Sequence, residues 1–261
     1  MNCFRCLIAV FALVVLEMAA SYAAPVPAAK AQAPVVLPGG GVADPDGKLA
    51  YVPNTGGGID ALDLATGKRL WQTNAAPRPL LATADRLFAE VPVKGKGHQV
   101  RIIVLDTTQE GKKVLESQPV SFPDWVSVGV AHGRSFASSA RTDGEGGLLL
   151  TWQARAWYAG GAAPPPEVER AARKSASGVA RIDLKSGRTE ALESNKIPKG
   201  TPQTVAAPPP TAKIGDRTLS IEDTPVPGRP FQQKRTLRAA ENGKVLWQHE
   251  IAAPVFLPPP P

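Results

Sequence analysis

The sequence predicts an all-β fold built from about four repeated units of four strands, with one short helical insertion. The chain contains 27 prolines and 24 glycines among 261 residues, which argues against long helices because both residues disfavour helix interiors. Hydrophobic residues make up 43% of the chain, enough for a core of substantial size. A strand–turn–strand pattern with glycine in the turn also recurs four times. Together these observations are typical of a repetitive β protein.

Residues 1–23 have the features of a secretory signal peptide. Arg5 gives a positively charged start, and an apolar run follows over residues 7–16. That run is shorter than the roughly 20 residues that a membrane-spanning helix needs. Ser21-Tyr22-Ala23 then matches an A-x-A type of cleavage site. We expect cleavage after Ala23 and an exported protein, periplasmic or extracellular, without a transmembrane span. An uncleaved membrane anchor is the alternative.

Low-complexity segments divide the rest of the chain. Residues 24–34 form an Ala/Pro-rich linker, a composition typical of an extended tether. The repeat domain is expected over residues 35–251, with an insertion at 160–177. Within that insertion, a proline in the first turn favours a short helix over Glu167–Arg173. Residues 252–261 form a proline-rich tail, which cannot supply a central strand.

The repeat is the most informative feature of the sequence. Each copy consists of a strand, a tight turn with glycine and a second strand. The turn glycines are spaced 44, 76 and 56 residues apart and are Gly67, Gly111, Gly187 and Gly243. Three copies have an aspartate before the glycine, namely Asp63, Asp106 and Asp183. The first and last copies share a tryptophan at one repeat position, Trp71 and Trp247.

A four-stranded β unit gives these positions a physical role. The aspartate accepts hydrogen bonds from the turn backbone, and the glycine supplies the positive φ that a tight turn needs. We expect Trp71 and Trp247 to be largely buried between neighbouring sheets. The first spacing, 44 residues, equals one four-stranded propeller blade. The predicted fold is therefore a β-propeller of about four four-stranded blades.

The strands of each unit follow from alternating apolar residues and turn signals. In the first two units they are predicted near 35–37, 49–52, 59–64 and 69–73, then 80–83, 86–91, 100–105 and 113–118. The third unit is predicted to begin with a strand at 125–131, to gain extra strands around 148–158 and to end at 189–193. The fourth unit is predicted to run from about Thr204 to Ile251.

The segment from Leu49 to Trp71, which ends in A-L-D-L-A-T-G-K-R-L-W, resembles the repeat of the pyrroloquinoline-quinone (PQQ)-like β-propeller superfamily. That superfamily includes quinoprotein alcohol dehydrogenases and the outer-membrane assembly propeller. The resemblance covers most of residues 34–251 and implies a fold, because the repeat itself is structural. The quinone-dependent members also carry an adjacent cysteine pair against the cofactor and acidic or amide calcium ligands. Both cysteines here, Cys3 and Cys6, lie in the leader, so the resemblance implies a non-enzymatic member without a quinone.

Candidate catalytic and metal-binding residues do not form a complete motif. The three histidines lie in separate parts of the chain, at His98, His132 and His249. Ser135 lacks the G-x-S-x-G frame of a nucleophile elbow. Asp44 and Asp46 fit a hairpin turn, because no later glutamate completes a calcium loop. Trp152 and Trp157 flank Arg155, with Tyr158 next in the chain. A stacking patch is one interpretation of this cluster, and packing under the insertion is the favoured one.

These observations favour a binding or scaffold module without catalysis, cofactor or metal. The expected partner is a protein or another propeller-forming chain. The net charge of +7 is spread along the chain, whereas nucleic-acid binding needs a basic stripe with stacking aromatics. The alternative function is a fragment or accessory subunit of a quinoprotein-like dehydrogenase.

The two ends of the repeat region resemble each other. Pro34-Val35-Val36-Leu37-Pro38 is echoed by Pro254-Val255-Phe256-Leu257-Pro258. Propellers have about four to eight blades, so four lies at the low end. We therefore predict an incomplete arc of a larger propeller, in which the first and fourth blades do not pack together. A closed ring of four blades is the alternative.

Overall fold

A computed structural model of the chain describes residues 33–128, 133–158, 160 and 163–252. The predicted leader, most of the linker, all but the first residue of the proline-rich tail, and His132 lie outside these residues. Four antiparallel sheets follow one another along the chain, with one α-helix inserted in the third. The predicted all-β class is therefore confirmed. We number these sheets blades 1 to 4 in chain order.

Blades 1 and 2 each contain five strands. Blade 1 consists of β1 (Val35–Val36), β2 (Val42–Ala43), β3 (Leu49–Pro53), β4 (Ile59–Asp63) and β5 (Arg69–Thr73). Blade 2 consists of β6 (Arg78–Ala82), β7 (Arg86–Pro92), β8 (Gln99–Asp106), β9 (Lys112–Glu116) and β10 (Val120–Ser121). The strand beyond the predicted four has two residues in each blade: it is β2 in blade 1, which pairs with β1 and β3, and β10 in blade 2, which pairs with β8 beyond the end of β9.

Blades 3 and 4 each contain four strands. Blade 3 consists of β11 (Arg134–Thr142), β12 (Gly147–Ala156), β13 (Lys174–Asp183) and β14 (Thr189–Leu192), with helix α1 (Pro166–Ala172) between β12 and β13. Blade 4 consists of β15 (Thr211–Ile214), β16 (Arg217–Val226), β17 (Arg229–Glu241) and β18 (Lys244–Ile251).

The start of blade 3 differs from the prediction. Residues 125–128, which were expected to open its first strand, form no strand, residues 129–131 of that prediction lie outside the described residues, and the first strand is β11. The sequence R-S-F-A-S-S-A-R-T of β11 alternates only small and polar residues around one phenylalanine, so its strand signal is weak. The region 148–158 is not an addition, because β12 is the second strand of an ordinary four-stranded sheet.

Three hydrophobic clusters join the blades side by side. One joins blades 2 and 3, a second joins blades 1 and 2, and a third joins blades 4 and 1. The blades are therefore arranged in the order 4-1-2-3. The prediction that blades 1 and 4 do not pack together is wrong. The physical reason is that Leu37, in the first of the two similar segments at 34–38 and 254–258, is fully buried in the cluster between blades 4 and 1.

The junction of blades 3 and 4 is built differently, and none of the three clusters of described residues joins them. The segment that connects the two blades lies on the free face of blade 3. There, Thr151 Oγ1 donates a hydrogen bond to Pro202 O at 2.9 Å, and Gln153 Nε2 donates one to Val205 O at 3.0 Å. Blade 4 presents polar side chains on its free face. In β16, Leu219 points into the core, and the residues that point the opposite way are Thr218, Ser220 and Glu222. A polar outer face is what keeps the last unit of a repeat array soluble.

Successive connections alternate between two rims because the strands are antiparallel. The turns that contain the repeat glycines lie on one rim, which we call the glycine rim. The connections β3–β4, β7–β8, β12–β13 and β16–β17 lie on the other rim. This second rim carries helix α1, and we call it the insertion rim.

Candidate functional site

The three repeat aspartates organise turns on the glycine rim. Asp63 Oδ1 accepts hydrogen bonds from the backbone N and the Oγ1 of Thr66. Asp106 is bonded in the same way by Thr108, and Asp183 by Ser186. Gly67, Gly111 and Gly187 each return a backbone N–H to the carbonyl of the same aspartate, at 2.8–2.9 Å. Hydrogen bonds from the hydroxyl groups hold the pKa of all three carboxyls below the usual range.

The lowered pKa values predict a loss of stability in acid. A carboxyl whose pKa is lower in the folded state stabilises the fold above its unfolded pKa of about 3.9 and loses that effect as pH falls through the folded value. We expect the melting temperature to fall below about pH 4. The drop should be smaller in the triple variant Thr66→Val, Thr108→Val, Ser186→Ala, which lacks the three hydroxyl donors. Identical pH profiles from thermal melts would contradict this account of the turns.

The repeat glycines also form seats for side chains of the preceding blade. A Cβ placed on Gly67 would lie 2.5 Å from the ring of Trp247, and one on Gly111 would lie 2.6 Å from the ring of Trp71. A Cβ on Gly187 would meet mainly the backbone of blade 2, at 3.0 Å from Glu116 O, and would lie 3.5 Å from Leu115 Cδ1. Gly243 of blade 4 is different, because no described atom would lie within 4 Å of a Cβ placed on it.

The two repeat tryptophans differ in burial. Trp247 is 8% exposed, and its Nε1 donates a hydrogen bond to Leu64 O of blade 1 at 3.0 Å. Trp71 is only partly buried, with its ring 5.7 Å from that of Tyr51. Gly67, Gly111, Trp71 and Trp247 thus contact neighbouring blades.

A buried carboxylate joins blades 1 and 4 on the insertion-rim side. Asp60 Oδ2 lies 2.9 Å from His249 Nε2, and Asp60 Oδ1 accepts a hydrogen bond from Asn54 Nδ2 at 2.9 Å. The Asp60 side chain is 4% exposed, and the guanidinium of Arg69 lies 3.8 Å away. No group of three or more metal-ligating residues occurs in the part of the chain that the structure describes. We interpret this cluster as a polar bond between blades.

Replacing Asp60 with alanine is expected to lower the free energy of unfolding by about 1–3 kcal/mol, because Asn54 and His249 lose a buried acceptor. Asp46→Ala is the matched control, since Asp46 is exposed and pairs with the exposed Lys48. That control should change stability by less than about 0.5 kcal/mol. Equal urea midpoints for the two variants would contradict the assignment.

A cavity of about 520 Å³, which we call the central cavity, lies where the first strands of blades 1, 2 and 3 meet. Two arginines line it, Arg78 and Arg155, with the serines of β11. Arg78 contacts the buried Glu90 at 3.2 Å and donates to Ser138 O at 2.7 Å, while Ser138 Oγ lies 2.5 Å from Glu90. This bonding connects blades 2 and 3 and engages Arg78 and Ser138 of the cavity lining. Ser135 lines the same cavity.

The insertion rim also carries an exposed aromatic pair. Trp157 is 48% exposed and Tyr158 is 38% exposed, just beyond the end of β12. Trp152 instead packs against Phe122, with a ring separation of 4.9 Å. Trp152 therefore packs between blades 2 and 3 and Trp157 is exposed, so packing under the insertion, the favoured sequence interpretation, describes neither ring. Sequence alone gave no signal for this difference, because both residues lie in one β-rich run.

The other sequence candidates serve local structure. His98 Nε2 lies 3.7 Å from the exposed Asp124. Asp44 Oδ1 accepts hydrogen bonds from the backbone N of Lys48 and of Leu49, both at 2.7 Å, as expected for a hairpin turn. Within the described residues, no helix has the length and apolarity needed to cross a membrane.

No family model matches the chain, and no curated protein does. Among solved structures, the chain is similar to BamB from Moraxella catarrhalis, with 17% identity, a TM-score of 0.32, and coverage of 79% of this chain and 62% of that one. An uncharacterised protein from Listeria monocytogenes EGD-e shows 11% identity, a TM-score of 0.30, and coverage of 85% and 54%.

A third similar structure is a europium-containing methanol dehydrogenase, with 13% identity, a TM-score of 0.26, and coverage of 80% of this chain and 61% of that one. The chain thus spans less than two thirds of the length of each of these proteins.

Proposed function

We propose that this chain is an exported, non-catalytic binding and scaffold module of the PQQ-like propeller type, which holds a protein partner on its insertion rim. The observation that carries the proposal is the contrast between the two rims. On the glycine rim, the repeat residues of blades 1 to 3 are engaged in turns and in packing against neighbouring blades. On the insertion rim, the aromatic pair Trp157 and Tyr158 is exposed.

The composition of the insertion rim supports a binding role. Tryptophan, tyrosine and arginine are the residues most enriched among the energetically important contacts of protein interfaces. Arg155 lines both the central cavity and the groove beside Trp157 and Tyr158. A partner on this rim would therefore contact the aromatic pair and the mouth of the cavity together.

Cross-linking tests the binding role. A photoreactive phenylalanine analogue at Tyr158 is compared in the source cells with the same analogue at Ala65, an exposed residue of the glycine rim. We expect a discrete cross-linked protein from position 158 and none from position 65. The proposal fails if both positions give the same products or if neither gives a discrete one.

Export rests on the leader features at residues 1–23. We expect the exported protein to begin at Ala24 or within a few residues of it. Secreted material whose N-terminal sequence begins at Met1 would contradict the proposed processing.

The quinoprotein alternative has its own test. The central cavity is lined by Arg78 and Arg155, and no Asp or Glu is among its described lining residues. Calcium takes oxygen ligands, most often carboxylates, so this lining is unsuited to a calcium–quinone pair. We expect calorimetric titration with quinone and calcium to give no saturable heat. A saturable response at submicromolar concentration would overturn the non-enzymatic assignment.

A further inference from the structure

One of the five tryptophans is set apart from the core. Trp71 and Trp247 belong to the clusters at the faces of blade 1, and Trp125 and Trp152 pack against the cluster between blades 2 and 3. Trp157 belongs to none of these clusters of described residues and is 48% exposed. Exposed aromatic side chains that lie next to each other, as Trp157 and Tyr158 do, are typical of interaction surfaces.

Trp157 lies in a groove with a defined shape. The end of β12 and the start of β13 form one wall, and helix α1 forms the other. The groove has a volume of about 520 Å³, and Tyr158 lines it beside Trp157. A volume of this size accommodates several side chains of an extended segment rather than a single ion.

The charges in the groove are mainly positive. Its lining contains three cations, Arg155, Arg173 and Lys174, against a single carboxylate, Glu169. Glu169 is already paired with Arg173. Arg155 and Lys174 have no carboxylate partner among the described residues, and both are exposed. The groove therefore offers two open cations next to two exposed aromatic rings.

We propose that this groove binds an acidic peptide segment of the partner protein, with an aromatic side chain of that segment packed on Trp157. This inference rests on the proposed function and names its partner chemistry. Carboxylates of the segment pair with Arg155 and Lys174 through charge-assisted hydrogen bonds. The ring of Trp157 supplies the apolar contact at the centre of the interface. A second copy of this basic chain would meet like charges there.

The test uses fluorescence anisotropy of a labelled peptide of glutamates around a central phenylalanine. We expect saturable binding that weakens about tenfold or more in Trp157→Ser and in the double variant Arg155→Gln, Lys174→Gln. The matched control is Lys185→Gln, Lys244→Gln, which removes the same charge from exposed positions on the glycine rim. That control should bind within about twofold of the unmodified protein. All four substituted cations and Trp157 are exposed, so unchanged melting temperatures will verify folding.

Several results would overturn the proposal. They are no saturable binding, equal weakening in the control double variant, or equal binding of a lysine-for-glutamate peptide. A Trp157-dependent interaction with phosphatidylglycerol vesicles but not with the peptide would assign the groove to a lipid surface instead. Trp157-dependent dimerisation in sedimentation would assign it to a second copy. Failure of the peptide alongside a discrete cross-link from position 158 refutes the partner chemistry alone, whereas failure of both refutes the proposed function.

Discussion

Replacing Trp247 with alanine is expected to lower the free energy of unfolding by about 3–5 kcal/mol. The side chain is 8% exposed and lies between blades 4 and 1, where its Nε1 also satisfies Leu64 O. Truncation therefore removes a large apolar contact and leaves a buried carbonyl without its donor. Urea denaturation followed by circular dichroism gives the measurement.

Trp71→Ala is the natural comparison, because it removes the same side chain at the same repeat position of blade 1. Trp71 is only partly buried, so its replacement should lower the free energy of unfolding by less than that of Trp247. Equal losses would contradict the difference in burial. An unchanged midpoint for Trp247→Ala would show that blade 4 does not rest on blade 1.

Replacing Gly67 with alanine is expected to be the second most damaging change, at about 2–5 kcal/mol. Gly67 has φ of +70°, where a Cβ costs about 1–2 kcal/mol. The new Cβ would also lie 2.5 Å from Trp247, and such overpacking costs typically 1–3 kcal/mol more. The two contributions arise from different atoms and can be separated.

Gly243→Ala separates them, because Gly243 occupies the equivalent turn of blade 4. Its φ is +79°, and a Cβ there would meet nothing within 4 Å. This control should lose only the backbone contribution of about 1–2 kcal/mol. In the Trp247→Ala background, the loss caused by Gly67→Ala should fall to the level of the control. If Gly67→Ala and Gly243→Ala are equally destabilising in the unmodified protein, Gly67 is not a seat for Trp247.

Much of blade 1 could be predicted from the sequence, because its signals are local. The hairpin at Asp44–Lys48 and the turn before Gly67 each depend on residues a few positions apart, and the strands around them alternate clearly. Strand β11 escaped prediction because its inward positions are mostly alanine and serine. Its partners β6 and β12 supply the large apolar residues that bury it.

The arrangement of the blades could not be predicted in the same way. The sequence marks Gly67 and Trp247 as members of one repeat, but their contact joins residues far apart in the chain. The resemblance of residues 254–258 to residues 34–38 favoured an incomplete arc. In the structure, buried Leu37 packs the N-terminal copy of that motif against blade 4. For the candidate binding groove, sequence places Arg155, Trp157 and Tyr158 together. Only the docking of helix α1 near β13 adds Lys174 and defines a groove.

The central structural claim is that blade 4 packs directly on blade 1. The most direct test is the distance between spin labels at Lys48→Cys and Asp216→Cys. It is measured by pulsed electron paramagnetic resonance on the chain that starts at Ala24, which has no other cysteine. Both positions are exposed turn residues on the glycine rim. They lie next to a contact between the two blades, since a Cβ on Gly47 would lie 2.6 Å from Ile214. The account predicts one narrow distribution at short distance. A broad distribution at long distance would show that blades 1 and 4 are apart and would contradict it.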